Sequence, residues 1–115
     1  MQRRVLFLIT HAPHRGAVAA ETLDELLIGA AFEQHVSVLF IGDGAYQLVD
    51  GGDPASSAAR GYKALPTYDV SEVFVERAAL KQRGLDSRRF VIEARPLARS
   101  DIQRLVAAQD VVVSD

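Results

Sequence analysis

Val36-Ser-Val-Leu-Phe-Ile41 runs without a break into Gly42-Asp-Gly-Ala-Tyr-Gln-Leu48. The first half is apolar and rich in β-formers, so it predicts a buried strand. The Gly-Asp-Gly that follows predicts a tight turn at the strand's carboxyl end. In open α/β sheets that edge is where ligands and partners are met. Tyr46 and Gln47, just past the turn, therefore become surface candidates.

The same punctuation repeats on both sides. Upstream, Val5 to Ile9 is a continuous apolar run, read as the first strand. Thr10 to Gly16 is a loop containing Pro13, and from Ala17 to Glu33 the positions Leu23, Leu26, Leu27 and Ala30 recur at the spacing of an amphipathic helix. Downstream, Val49 to Asp53 is turn material, and Asp53-Pro54 opens a helix with Asp as cap and Pro in the first turn. Ala55, Ala58, Ala59 and Tyr62 share one face of it; Gly61 weakens it and Pro66 ends it. Val70 to Val75 is a third strand. Ala78 to Arg83 is a short helix closed by Gly84, with Lys81 and Arg83 at its negative end. Phe90 to Ile92 opens a fourth strand that stops by Pro96. Ser100 is expected to cap a last helix with Ile102, Leu105 and Val106 inside, and Val111 to Val113 closes the chain as a fifth strand.

Strand and helix alternation with long connections implies parallel pairing through right-handed crossovers. The expected architecture is α/β: one three-layer domain over residues 1–115, with a five-stranded, mainly parallel, flavodoxin-like sheet flanked by helices. Because the fifth strand lies so late, trimming from Val111 onward should destabilise the fold.

Bulk properties restrict function. A chain of 115 residues can bury roughly two-thirds of its unfolded surface. Its 49% hydrophobic and 24% charged content fits a globular protein. Thirteen Lys and Arg against fifteen Asp and Glu give a net charge of −2, too balanced to predict nucleic-acid or membrane binding from electrostatics. The run Val5 to Ile9 is too short for a signal-peptide core or a membrane span, so the expected location is the cytoplasm. There is no cysteine. Disulfides, thiolate metal sites and self-contained thiol chemistry are excluded.

No complete catalytic constellation emerges from the remaining residues. His11 and His14 could share a metal only with a third ligand, and His35 is expected near the opposite edge of the sheet, so no metal site is expected. Arg15-Gly16 matches neither G-x-G-x-x-G nor the P-loop pattern. Asp43 could be a catalytic or ribose-binding acid, or a turn aspartate bonding its own backbone. Glu21, Asp24 and Glu25 fit a solvated helix face, and Ser56 and Ser57 lack a nucleophile elbow. Glu76 and Arg77 follow the third strand directly and could pair with each other or with a partner chain. Tyr and Arg are favoured interface anchors, which puts Tyr46, Gln47, Arg60 and Tyr62 beside His14, Asp43, Glu76 and Arg77 as candidate subunit contacts. Tyr62 could equally pack its helix onto the sheet.

Ala12-Pro-His14, Leu23-Asp-x-Leu-Leu27, Phe40-Ile-Gly-Asp-Gly-Ala-Tyr-Gln-Leu48, Leu80-Lys-Gln-Arg-Gly-Leu85 and Val91-Ile-Glu-Ala-Arg-Pro-Leu97 follow one another in that order along the chain. Together these five segments resemble the TusC/DsrF family. The likeness covers nearly the whole chain and is weakest over Asp53 to Asp69. It implies a DsrE-like fold and a sulfur-relay role without a cofactor. Members assemble with TusB/DsrH-like and TusD/DsrE-like homologues into a hexamer holding two copies of each. Indirect partners are TusA-like and TusE/DsrC-like sulfur carriers. The Tus branch serves 2-thiolation of the tRNA wobble uridine, and the Dsr branch serves sulfur oxidation. The acceptor cysteine belongs to the DsrE/TusD-type subunit just after its third strand, a place that falls near Glu76 and Arg77 here. A persulfide needs a thiolate, so this chain is expected to be an accessory subunit and not an enzyme. Two other classes remain open: a small-molecule module using Arg15-Gly16 and Gly42-Asp43-Gly44, and an enzyme pairing Asp43 with His14.

Overall fold

The computed structural model describes residues 3–12, 35–49, 65–68, 70 and 72–114. Within them lies one five-stranded sheet. Its strands are β1 (Arg4–Ile9), β2 (His35–Phe40), β3 (Glu72–Glu76), β4 (Arg95–Leu97) and β5 (Val111–Ser114), in the order β4-β3-β2-β1-β5. Every neighbouring pair is parallel. The helices among the described residues are α1 (Ala45–Leu48), α2 (Arg77–Gln82) and α3 (Arg99–Ala107), with 3-10 turns at Gly42–Gly44 and Leu65–Tyr68. The helix expected over Ala17 to Glu33 and most of the one expected from Asp53 lie outside the described residues. The α/β, five-stranded parallel architecture expected from the sequence is the one observed.

β1 and β2 sit in the middle of the sheet and are buried on both faces, which is why they read as unbroken apolar runs. Val5, Phe7, Ile9, Val36, Val38, Phe40, Val73 and Val75 point to one face, where Leu48 of α1 and Ala79 and Leu80 of α2 complete the core. Leu6 and Leu39 are fully buried on the other. The connections β1 to β4 step one way along the sheet, whereas β4 to β5 steps back across it. Right-handed crossovers therefore put α3 on the face opposite α2. No residue of α3 is fully buried, and Val106, expected inside, is 37% exposed.

β3 runs over Glu72–Glu76 and not over the expected Val70 to Val75, and the edge strands hold the larger differences from expectation. Phe90 to Ile92 is not the fourth strand. Phe90 makes an isolated antiparallel bridge with Val49, Val91 N–H donates to the Leu48 carbonyl at 2.7 Å, and all three side chains pack against the core. The ladder strand comes later, at Arg95–Leu97, and contains Pro96. An edge strand tolerates a proline because one side of it needs no N–H donor. The last helix begins after Ala98, not Ser100: Ile102 N–H reaches the Ala98 carbonyl at 3.0 Å, and no side chain caps it. Ser100 lies inside the first turn, with Asp101 beside it favouring the positive helix end.

α2 starts one residue earlier than expected, and its end is built as Gly84 predicts. Gly84 takes φ +65°, its N–H donates to Lys81 O at 3.2 Å, and Leu85 N–H donates to Leu80 O at 2.8 Å. Leu80 and Leu85 are both buried in the same cluster. This is a Schellman closure with its apolar contact.

Candidate functional site

The loops leaving the carboxyl ends of β1, β2 and β3 are tied into one surface. Ile41 N–H donates to Ile9 O at 3.0 Å, carrying the ladder one step past β2, and Gly44 N–H folds back to Ile41 O at 2.9 Å. Two glycines are needed here for different reasons. Gly42 has φ +52°, a region that side chains resist. Gly44 is pressed onto β1, where a Cβ would meet the Ile9 carbonyl oxygen at 1.7 Å. The expected tight turn is thus a 3-10 turn running straight into α1.

Polar side chains complete the ties. Gln47, expected on the surface, is only 6% exposed, and its Nε2 donates to the His11 carbonyl at 2.6 Å. A buried amide must find such a partner, so Gln47 shapes the edge from beneath. The Gly42 N–H donates to Glu76 Oε1 at 3.1 Å, joining the β2 loop to the end of β3. Asp43 accepts from Arg83, Nη2 at 3.0 Å and Nε at 3.2 Å, which fixes the same loop to the end of α2. Tyr46 remains open to solvent at 39% exposure.

Of the residues singled out in the sequence, the structure gathers Asp43, Tyr46, Glu76 and Arg77 at this edge, with Gln47 beneath them. His14, Arg60 and Tyr62 lie outside the described residues, as do Arg15, Gly16, Glu21, Asp24, Glu25, Ser56 and Ser57. Glu76 and Arg77 do not pair with each other among the described residues. His11 is 3.4 Å from the Thr10 hydroxyl, and His35 lies at the start of β2, at the far end of the sheet. No group of three or more metal-ligating side chains occurs among the described residues, and none of their helices is long and apolar enough to cross a membrane.

Sequence reading passed over Arg83 as an anchor of Asp43, because forty positions separate them. It also passed over Arg99, which opens α3 one residue beyond Ala98 at the carboxyl end of β4. At the opposite edge, His35 Nε2 donates to Glu72 Oε2 at 2.7 Å, and the buried Ser37 hydroxyl donates to the same oxygen at 2.8 Å. Burial pushes the Glu72 carboxyl up, but the hydrogen bonds from His35 and Ser37 and the charges of His35 and Arg4 outweigh it. The net result holds it below its ordinary value of 4.5.

A model of the DsrE/DsrF-like family matches residues 3–114. The chain belongs to the DsrE/DsrF-like family. Among its relatives, Protein TusC of Shigella flexneri serotype 5b is 39% identical over 116 residues, covering 96% of this chain and 98% of that protein. Protein TusC of Escherichia coli O9:H4 shows the same identity and coverage. The fold is shared with a solved structure. The crystal structure of the YchN protein from E. coli superposes with a TM-score of 0.85 over 100% of both chains, at only 13% identity.

Proposed function

We propose that this chain is the cysteine-free accessory subunit of a sulfur-relay complex of the TusC type. The observation that carries the reading is its 39% identity to TusC proteins over nearly the whole length. The chain itself has no thiol, and a persulfide needs a thiolate. Covalent sulfur therefore travels on another polypeptide. In this reading a TusD/DsrE-like subunit bears the acceptor cysteine, and a TusB/DsrH-like subunit completes a cytoplasmic heterohexamer with two copies of each. That complex supplies TusE-like carriers, downstream of TusA-like donors, for 2-thiouridine at the tRNA wobble position. The likeness to TusC supports this branch over a DsrF-like role in sulfur oxidation.

This chain's part is to present a rigid contact surface. Asp43, Glu76 and the buried Gln47 hold the carboxyl-edge loops in place, and Tyr46 and Arg77 stand exposed on them as contacts. His14, Arg60 and Tyr62, outside the described residues, are kept as further candidate subunit contacts. The test is co-expression with the adjacent reading frames followed by native mass measurement. A particle holding two copies of each of three subunits is expected, and cells lacking this gene should lose 2-thiouridine from their tRNA by mass spectrometry. A well-behaved monomer that ignores those partners overturns the reading.

A further inference from the structure

α2 and α3 begin next to each other at the carboxyl ends of β3 and β4, and a cleft of about 750 Å³ lies between them. Arg77 and Lys81 line it from α2 and Arg99 from the start of α3. Arg77 and Lys81 are four apart on a helix, so they share one side of it. All three are exposed, and none of the three cationic side chains has a partner among the described residues. The lining contains one carboxylate, Glu76, which already accepts the Gly42 N–H. Three cations less one carboxylate leave +2 on this cleft, against −2 for the whole chain. Positive charge is concentrated here. A second cleft of about 700 Å³ beside β3 and β4 has no such excess, since Glu72 and Glu93 outnumber Arg95.

The cleft also has an apolar part. Leu97 is buried and Ile102 half-buried, and both contribute to its wall. A bare phosphate or other small anion would leave that wall unused. Nucleic-acid binding draws on basic grooves with aromatic platforms, and no aromatic residue lines this cleft. Carboxylates on a chain that also carries an aliphatic side chain satisfy both parts.

We propose that this cleft docks an acidic segment of a partner protein, its carboxylates meeting Arg77, Lys81 and Arg99 and an aliphatic side chain covering Leu97 and Ile102. The proposal rests on the reading of the chain as a subunit that works in a protein assembly. It names the chemistry of one of that assembly's contacts.

The test is fluorescence anisotropy on the full chain with a labelled peptide of Glu-Glu-Leu repeats, alongside a Lys-Lys-Leu peptide and oligouridylate. The acidic peptide should bind best, and more weakly as salt rises. The combined variant Arg77→Gln, Lys81→Gln, Arg99→Gln should raise its Kd about tenfold with an unchanged circular dichroism melting curve. Arg95→Gln removes one positive charge outside the cleft and should leave the Kd alone, whereas each of the three cleft substitutions made singly should raise it. Undiminished binding by the triple variant, no preference for the acidic peptide, or binding of oligouridylate alone would each overturn the proposal. Native mass measurement of the co-expressed wild type separates the two readings. Assembly without peptide binding removes the cleft's role and keeps the subunit, whereas peptide binding lost in the triple variant without assembly does the reverse.

Discussion

Gly44 lies against the carbonyl of Ile9 so closely that a Cβ on it would come within 1.7 Å of the oxygen and 2.5 Å of the carbon. Both contacts are to main chain of a central strand, which cannot move without disturbing its pairing on both sides. Gly44→Ala should therefore destabilise by about 3 kcal/mol or more. In a domain of this size that lowers Tm by more than about 10 °C. Gly42→Ala meets no such wall; its burden is a left-handed backbone at φ +52°, about 1 kcal/mol. Thermal denaturation followed by circular dichroism measures both, and equal losses would contradict the distinction.

The ion pair of Asp43 and Arg83 sits at the rim, with the aspartate side chain 62% exposed. Exposed pairs contribute about 0–1 kcal/mol and fade with salt. Asp43→Asn should accordingly shift the urea midpoint only slightly, and a double-mutant cycle with Arg83→Gln should give a coupling of about 0.5 kcal/mol. A coupling several times larger, unaffected by salt, would show that the pair is part of something more enclosed than this edge.

The central strands were legible in the sequence because burial on both faces leaves an uninterrupted apolar run, as at Val5 to Ile9 and Val36 to Phe40. An apolar run reports burial and not ladder membership, which is why Phe90 to Ile92 was misread: those residues cover the core from a loop. Pro96 was read as a strand stop because its place on the outermost strand is a property of the sheet order. Ser100 shows the same limit at helix scale, since serine serves both as a cap and within a first turn. At the candidate site, Gly42, Asp43 and Gly44 announced the turn. The burial of Gln47 could not be read, because its partner is a backbone carbonyl thirty-six positions earlier. Amide side chains look alike in sequence whether they face water or a main-chain acceptor.

Acid should find the Glu72 tie. Its carboxyl is held below its ordinary value of 4.5 in the folded chain, so the ionised form is favoured by folding. The stability this contributes is fully present above about pH 5 and is lost as the pH falls through 4.5 and then through the lower folded value. Glu72→Gln removes the titration. Urea unfolding at successive pH values should show the wild type more stable than the variant near neutrality, with the gap narrowing below about pH 4.5. A gap that widens on acidification would contradict the lowered carboxyl, and with it the finding that the hydrogen bonds and charges together outweigh burial.

β5 is the strand on which the open side of β1 depends. Val111 pairs with Val5 and Val113 with Phe7, and both valines pack against the buried cluster. The ladder is clamped at its start, where Arg4 N–H donates to Asp110 Oδ2 at 2.7 Å and Asp110 N–H donates to Arg4 O at 2.8 Å. Deletion from Val111 onward leaves that clamp in place but strips the ladder beyond it. The partial burial of two valines contributes about 2–3 kcal/mol, and the lost main-chain hydrogen bonds about 1 kcal/mol each. Together they approach about 5 kcal/mol, the lower end of the stability of an ordinary domain. The truncated chain should melt well below the full chain or fail to fold, and its uncovered β1 edge should promote association. Circular dichroism melting and size-exclusion chromatography read the two consequences separately. An unchanged melting temperature would mean that β1 does not need β5, contrary to the register seen here.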